Sequence, residues 1–106
     1  MAKQILTFTE GEFGFNYTFH AFNEDATAAN LAGFTGVRLI ILNEETGITE
    51  LDITTDLTIT SPNVVWAIKS GQTDYNGELL AVLHLTATGV LEKTFQFACV
   101  VTKKLI

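Results

Sequence analysis

Apolar and polar residues alternate with a period of two along most of this chain, and that pattern confines it to β-structure. In Phe13-Gly14-Phe15-Asn16-Tyr17-Thr18-Phe19-His20 every odd position is aromatic and every even one is small or polar. Side chains of an extended strand point alternately to its two faces. The spacing therefore predicts four rings on one face, with Asn16, Thr18 and His20 on the other. The same phase recurs in Leu79, Ala81, Leu83 and Leu85, in Phe95, Phe97, Cys99 and Val101, and in Val64, Trp66 and Ile68. Residues 37–42, Val-Arg-Leu-Ile-Ile-Leu, read as a strand that is more continuously buried, with Arg38 at its margin. Shorter strands are expected at 4–9, 48–53 and 56–60. No stretch carries a helical period of sufficient length with caps.

Turn residues separate these strands. Asn43-Glu44-Glu45-Thr46-Gly47 reads as a hairpin loop with Gly47 free to take positive φ. Ser61-Pro62-Asn63 places the single Pro at a turn, where its ring presets φ. Asp74-Tyr75-Asn76-Gly77 leads tightly into the next strand, and Thr88-Gly89 reads as a hairpin tip. Residues 23–36, rich in Ala, Asn and Gly, form the longest segment without alternation. About seven to eight short strands with turns at this spacing predict an all-β fold, a single antiparallel immunoglobulin-like β-sandwich over residues 1–106.

Charge narrows the classes of partner. Lys and Arg number 6 against 12 Asp and Glu, a net charge of −6. Neutralising phosphates requires clustered cations, so no nucleic acid is expected as a partner. Charged residues make up 17 % of the chain, against about 25 % in ordinary soluble domains. A small domain has much surface to cover, and Thr fills only part of the shortfall with neutral polar faces. The deficit predicts that other protein covers some of this surface. With one cysteine, Cys99, no intramolecular disulfide is possible and no oxidising compartment is required. The first residues, Met1-Ala2-Lys3-Gln4, lack the apolar run of a secretory signal. The apolar run from Leu39 to Leu42 is far short of a membrane span. Synthesis in a cytoplasm with no membrane partner is the expectation.

Candidate chemistry is sparse. His20 and His84 lie on the polar phase of their strands and lack a third metal ligand at suitable spacing. Glu24, Asp25 and Asp74 fall in loops able to meet at one end of a sandwich, where a weak calcium site competes with a plain solvated surface. Cys99 is in phase with Phe95 and Phe97, which predicts a buried small hydrophobe and not a reactive thiolate. No catalytic residue, metal or cofactor is therefore assigned. Phe34, Trp66 and Tyr75 are the aromatics available for a sugar-stacking platform, with core or loop packing as the plainer alternative. Residues 3–9 and the closing Val-Thr-Lys-Lys-Leu-Ile suggest termini that dock on another subunit, through Gln4, Ile5, Leu6, Phe8, Leu105 and Ile106. Ordinary edge strands of the same sandwich are the equal alternative.

The order of features carries a resemblance. A Phe-rich strand precedes Asn30-Leu31-Ala32-Gly33-Phe34-Thr35-Gly36 and then Val37-Arg38-Leu39-Ile40-Ile41. A Gly hairpin, Val64-Val65-Trp66, Asp74-Tyr75-Asn76-Gly77 with Glu78-Leu79, and Phe95-Gln96-Phe97 follow. From about residue 5 to residue 101 this resembles the immunoglobulin-like N-terminal domain of tailed-phage baseplate upper proteins and related small virion proteins. Leu79 stands where that family often has Tyr, so a tyrosine corner is not available there. The resemblance implies a non-enzymatic part of a virion, held by contacts with other virion proteins and present in many copies. A free-standing sandwich of this kind looks more like a capsid decoration, a head accessory or a tail-associated protein than a whole baseplate subunit. The rival expectation is a carbohydrate-binding or adhesion module.

Overall fold

The computed structural model describes residues 4–21, 27–31, 33–87 and 91–104. Its strands are β1 (Ile5–Thr9), β2 (Asn16–His20), β3 (Gly36–Leu42), β4 (Thr49–Ile53), β5 (Leu57–Thr60), β6 (Asn63–Ala67), β7 (Gly77–Ala87) and β8 (Leu91–Thr102). They form a five-stranded sheet of order β1-β8-β7-β3-β4 and a three-stranded sheet of order β2-β6-β5. Among the described residues there is no helix, and none is long and apolar enough to cross a membrane.

Among the described residues all pairings are antiparallel but one. β1 runs parallel to β8, with Ile5 opposite Ala98 and Thr9 opposite Thr102. The expectation of a wholly antiparallel fold is corrected there. Parallel neighbours need a long crossover, and here nearly the whole chain lies between them. Local patterning carries no trace of so distant a pairing.

The inward phase of both sheets forms one cluster of buried side chains. Leu39, Ile41, Leu83, Leu85, Val64 and Trp66 have no exposed surface at all. Rings join the layers: Phe8 of β1 meets Trp66 of β6 edge-on at 6.0 Å, and Phe19 of β2 meets Phe97 of β8 at 5.2 Å. Each fully buried Leu or Phe contributes about 1.5–3 kcal/mol through removal of apolar area from water. The Trp66 indole keeps its one polar group satisfied. Nε1–H donates to Gln72 Oε1 at 3.0 Å, and that oxygen also accepts from Lys69 N–H at 2.9 Å.

One side chain seals the seam between β1 and β2. Gln4 Oε1 accepts from His20 N–H at 2.8 Å, while Nε2 donates to the Thr18 carbonyl at 2.7 Å and to the Tyr17 hydroxyl at 2.9 Å. The Tyr17 hydroxyl in turn donates to the Ile5 carbonyl at 3.3 Å. A single amide thus supplies the outer edge of β2 with the acceptor and donor that a neighbouring strand would offer.

Two strand expectations change. The aromatic run does not form one strand, because β2 begins only at Asn16 and Gly14 takes φ +86°. Gly14 N–H donates to the Ile68 carbonyl, and Ile68 N–H to the Phe15 carbonyl. This kink leaves Phe13 and Phe15 exposed by 59 % and 36 %, while Tyr17 and Phe19 turn inward. β3 is not continuously buried either: Leu39 and Ile41 are enclosed, but Val37, Ile40 and Leu42 are only half-buried.

Candidate functional site

The least usual surface lies on the outer face of the five-stranded sheet. Register aligns Ile5, Ala98, Leu80 and Leu42 in one row across β1, β8, β7 and β3. The adjoining row runs Gln96, Val82, Ile40 and Asp52. These residues point away from the core, since their neighbours Leu6, Cys99, Leu79, Ala81, Leu83, Leu39 and Ile41 are the buried ones. Ile5 is 53 % exposed and Val100, beside the first row, 39 %. Ile40, Leu42, Leu80 and Val82 are half-buried. A contiguous apolar patch of this kind is uncommon on the solvated face of a small β-protein.

Carboxylates border the patch. A shallow groove of about 690 Å³ is lined by Ile5, Ala98 and Val100 together with Glu44, Glu45 and Glu78. The β3–β4 loop carrying Glu44 and Glu45 is held in shape. Asn43 Oδ1 accepts from Glu45 N–H at 3.0 Å and Thr46 N–H at 3.3 Å, and Gly47 N–H closes onto the Asn43 carbonyl at 2.8 Å with φ +73°. That positive φ is what the loop requires of Gly47. Arg38 shares the outer face but is neutralised there. Its Nε donates to Asp52 Oδ1 at 2.7 Å and its Nη2 to Asp52 Oδ2. The Arg38 hydrogen bond holds the Asp52 carboxyl below its usual range, and the same bond raises the guanidinium.

The residues singled out from sequence are distributed otherwise. Leu6 and Phe8 have their side chains in the core, where pairing of β1 with β8 turns them inward. Gln4 spends its amide on β2, and of the N-terminal set only Ile5 offers its side chain to solvent. Leu105 and Ile106 lie outside the described residues, as do Glu24, Asp25, Thr88 and Gly89. Phe34, Trp66 and Tyr75, the candidate stacking aromatics, are each buried in the core cluster. Tyr75 sits edge-on to Phe8, and its hydroxyl is buried with no hydrogen-bond partner among the described residues. Burial, followed by the nearness of Cys99, Glu50 and Asp74, pushes its ionisation far up.

His20 and His84 occupy the outer faces of different sheets. Nδ1 of His20 lies 3.0 Å from Asn63 Oδ1, and Nδ1 of His84 lies 3.2 Å from Thr94 Oγ1. Among the described residues no group of His, Cys, Asp and Glu is arranged to hold a metal. Cys99 is buried, and desolvation pushes its thiol up to about 12. A second exposed apolar spot, Phe13 and Phe15, borders a cleft of about 520 Å³ beside Lys69 and Ser70.

Sequence reasoning missed Ile40, Leu42, Leu80, Val82, Ala98 and Val100. The signal was present in Leu79-Leu80-Ala81-Val82-Leu83 and Ala98-Cys99-Val100-Val101, where both phases of a strand are apolar. Such runs mean an apolar outer face as well as an inner one. Neither a scan against protein-family models nor a search of curated proteins finds a match to this chain.

Proposed function

We propose that this chain is a non-enzymatic structural component of a tailed-phage virion, an immunoglobulin-like sandwich that holds its place by binding other virion proteins. The observation that carries the reading is the apolar outer face of the five-stranded sheet. Its side chains point away from the chain's own core, and another surface that removed their remaining exposed area from water would gain from it. The charged fraction of 17 % fits a surface partly covered in an assembly. The stretch from Asn30 to Ile41 and the Asp74-Tyr75-Asn76-Gly77 step supply the resemblance to phage virion domains.

The mechanism is mechanical. Each copy adds buried interface to a capsid lattice or tail, and closed symmetry repeats that contribution in many copies. An antibody to the chain, used on density-banded particles from the source lysate, tests this reading. Signal in the particle band at the stoichiometry of a capsid or tail component is expected. A chain wholly in the soluble fraction overturns it.

A further inference from the structure

Resting on that reading, we propose that the outer face of the five-stranded sheet docks on a different protein, whose contact surface has an apolar centre bordered by Lys or Arg, and not on a second copy of this chain. The apolar half of the argument is the row Ile5, Ala98, Leu80 and Leu42, with Val82 and Val100 beside it. This floor crosses four adjacent strands without a break. It is fixed by sheet register, so it presents a preformed shape with little ordering left to undergo on binding.

Charge selects the occupant. Glu44, Glu45 and Glu78 line the groove, and no Lys or Arg lines it among the described residues. Arg38, on the same face, is already paired with Asp52. A two-fold pairing of two copies through this face would bring like potentials together, with −6 on each chain. Like-charge juxtaposition suppresses a wrong partner, whereas a basic border is drawn in and oriented by the same field. The restrained β3–β4 loop matters here, because Glu44 and Glu45 project from a fixed hairpin and not from a loose tip. A partner with an apolar centre and a cationic border meets both demands at once.

The experiment uses the full chain with two extended peptides of equal length, one alternating Leu with Lys and one alternating Leu with Glu. Amide NMR spectra are recorded as each is added. The Leu–Lys peptide is expected to shift the resonances of residues 40, 42, 80, 82, 98 and 100, and the Leu–Glu peptide to leave them in place. Binding should weaken roughly tenfold or more in a Glu44→Lys/Glu45→Lys/Glu78→Lys variant and in a Leu80→Ser/Val82→Thr variant, since one removes the complementary field and the other the apolar floor. Circular dichroism checks that each variant is folded. Sedimentation velocity at low ionic strength should find the chain monomeric. Equal response to both peptides, shifts gathered at Phe13 and Phe15, or a dimer that Leu80→Ser/Val82→Thr dissolves would each overturn the proposal. Its failure is separate from failure of the virion reading: a chain that co-sediments with particles but ignores the Leu–Lys peptide keeps its virion role and loses this docking face.

Discussion

The outer faces of the two sheets are dressed differently, the larger one carrying the longer apolar rows. On the three-stranded sheet the outward rows are Thr18, Val65 and Thr58, then His20, Asn63 and Thr60. On the five-stranded sheet they include Ile5, Ala98, Leu80 and Leu42, then Gln96, Val82, Ile40 and Asp52, flanked by the more polar rows Thr7, Val100 and Glu78 and Thr94, His84 and Arg38. Both sheets are apolar inside, as a shared core requires. The three-stranded sheet shows how little apolar surface an outer face needs for this fold to form. The larger sheet departs from that economy where strands β3, β7 and β8 are apolar in both phases. The core does not require this departure, and the docking proposed above would give it a use.

The contrast is first bounded by what an inner residue is worth. Trp66→Ala empties the largest fully buried site among the described residues and removes one of the two donors to Gln72 Oε1. Loss of about 3–5 kcal/mol is expected in a urea titration, as for other buried aromatic truncations. A loss below about 1 kcal/mol would mean that the inner faces are loosely packed, and the distinction between inner and outer phases would weaken.

Cys99 gives the same contrast within one strand, since its neighbours Ala98 and Val100 face outward. Burial favours the neutral thiol, so its folded value of about 12 lies above the usual 9. The sign follows from linkage. Stability is full below about pH 9 and falls as the pH rises toward 12, because the unfolded chain gives up the proton first. Tyr75 and Tyr17, both raised chiefly by burial, add to the alkaline loss above pH 10. Urea midpoints measured across this range should decline, and Cys99→Ala should flatten the part between 9 and 10. An unchanged slope would place the thiol in solvent.

The inner pattern was readable because period two is a local property. Leu79, Ala81, Leu83 and Leu85 need only their own spacing to announce a buried face, and all four are buried. The hairpin at Asn43 to Gly47 was equally plain, being written in residues that bond to one another. What escaped depends on distant partners. Pairing of β1 with β8 decides that Leu6 and Phe8 are core, and nothing within residues 4–9 records it. The kink at Gly14 did have a local signal, since a glycine inside an alternating run marks a break as often as a strand. For the outer face, alternation was the wrong template. A strand apolar in both phases reads as doubly buried, yet among the described residues no second layer covers this face.

Gln4→Ala tests the seam that sets the outer face of β1 in register. It removes the acceptor for His20 N–H and the donor for the Thr18 carbonyl at a partly buried edge. A cost of about 1–3 kcal/mol is expected, the usual penalty for orphaned polar groups. Faster amide exchange at His20 than at Phe19 should accompany it. Retained stability and unchanged exchange would show that water replaces the amide without penalty, and that β1 is held by β8 alone.

Tyr75→Phe separates packing from polarity at the edge of the core. The ring is enclosed against Phe8, and the hydroxyl is buried without a partner. Removing an unsatisfied polar group while keeping the ring should leave stability unchanged or raise it by up to about 1 kcal/mol. A clear loss would reveal a bond to the hydroxyl and return Tyr75 to consideration as a ligand-binding residue.

The smallest effect on stability comes from the substitutions that bear most directly on the two outer faces. Leu80→Ser makes the large sheet resemble the small one, and Thr58→Val makes the small sheet resemble the large one. Leu80 is half-buried and flanked by Leu42 and Ala98 in its row, so its loss should cost no more than about 1 kcal/mol, the range of cross-strand pairs. Thr58 is exposed between solvent and Val65, and its change should stay within about 0.5 kcal/mol. Function should divide where stability does not. Leu80→Ser is expected to lose attachment to particles while remaining folded, and Thr58→Val to attach as the unaltered chain does. Were both variants to attach equally, the apolar rows of the larger sheet would be an accident of composition, and the contrast between the two outer faces would carry no function.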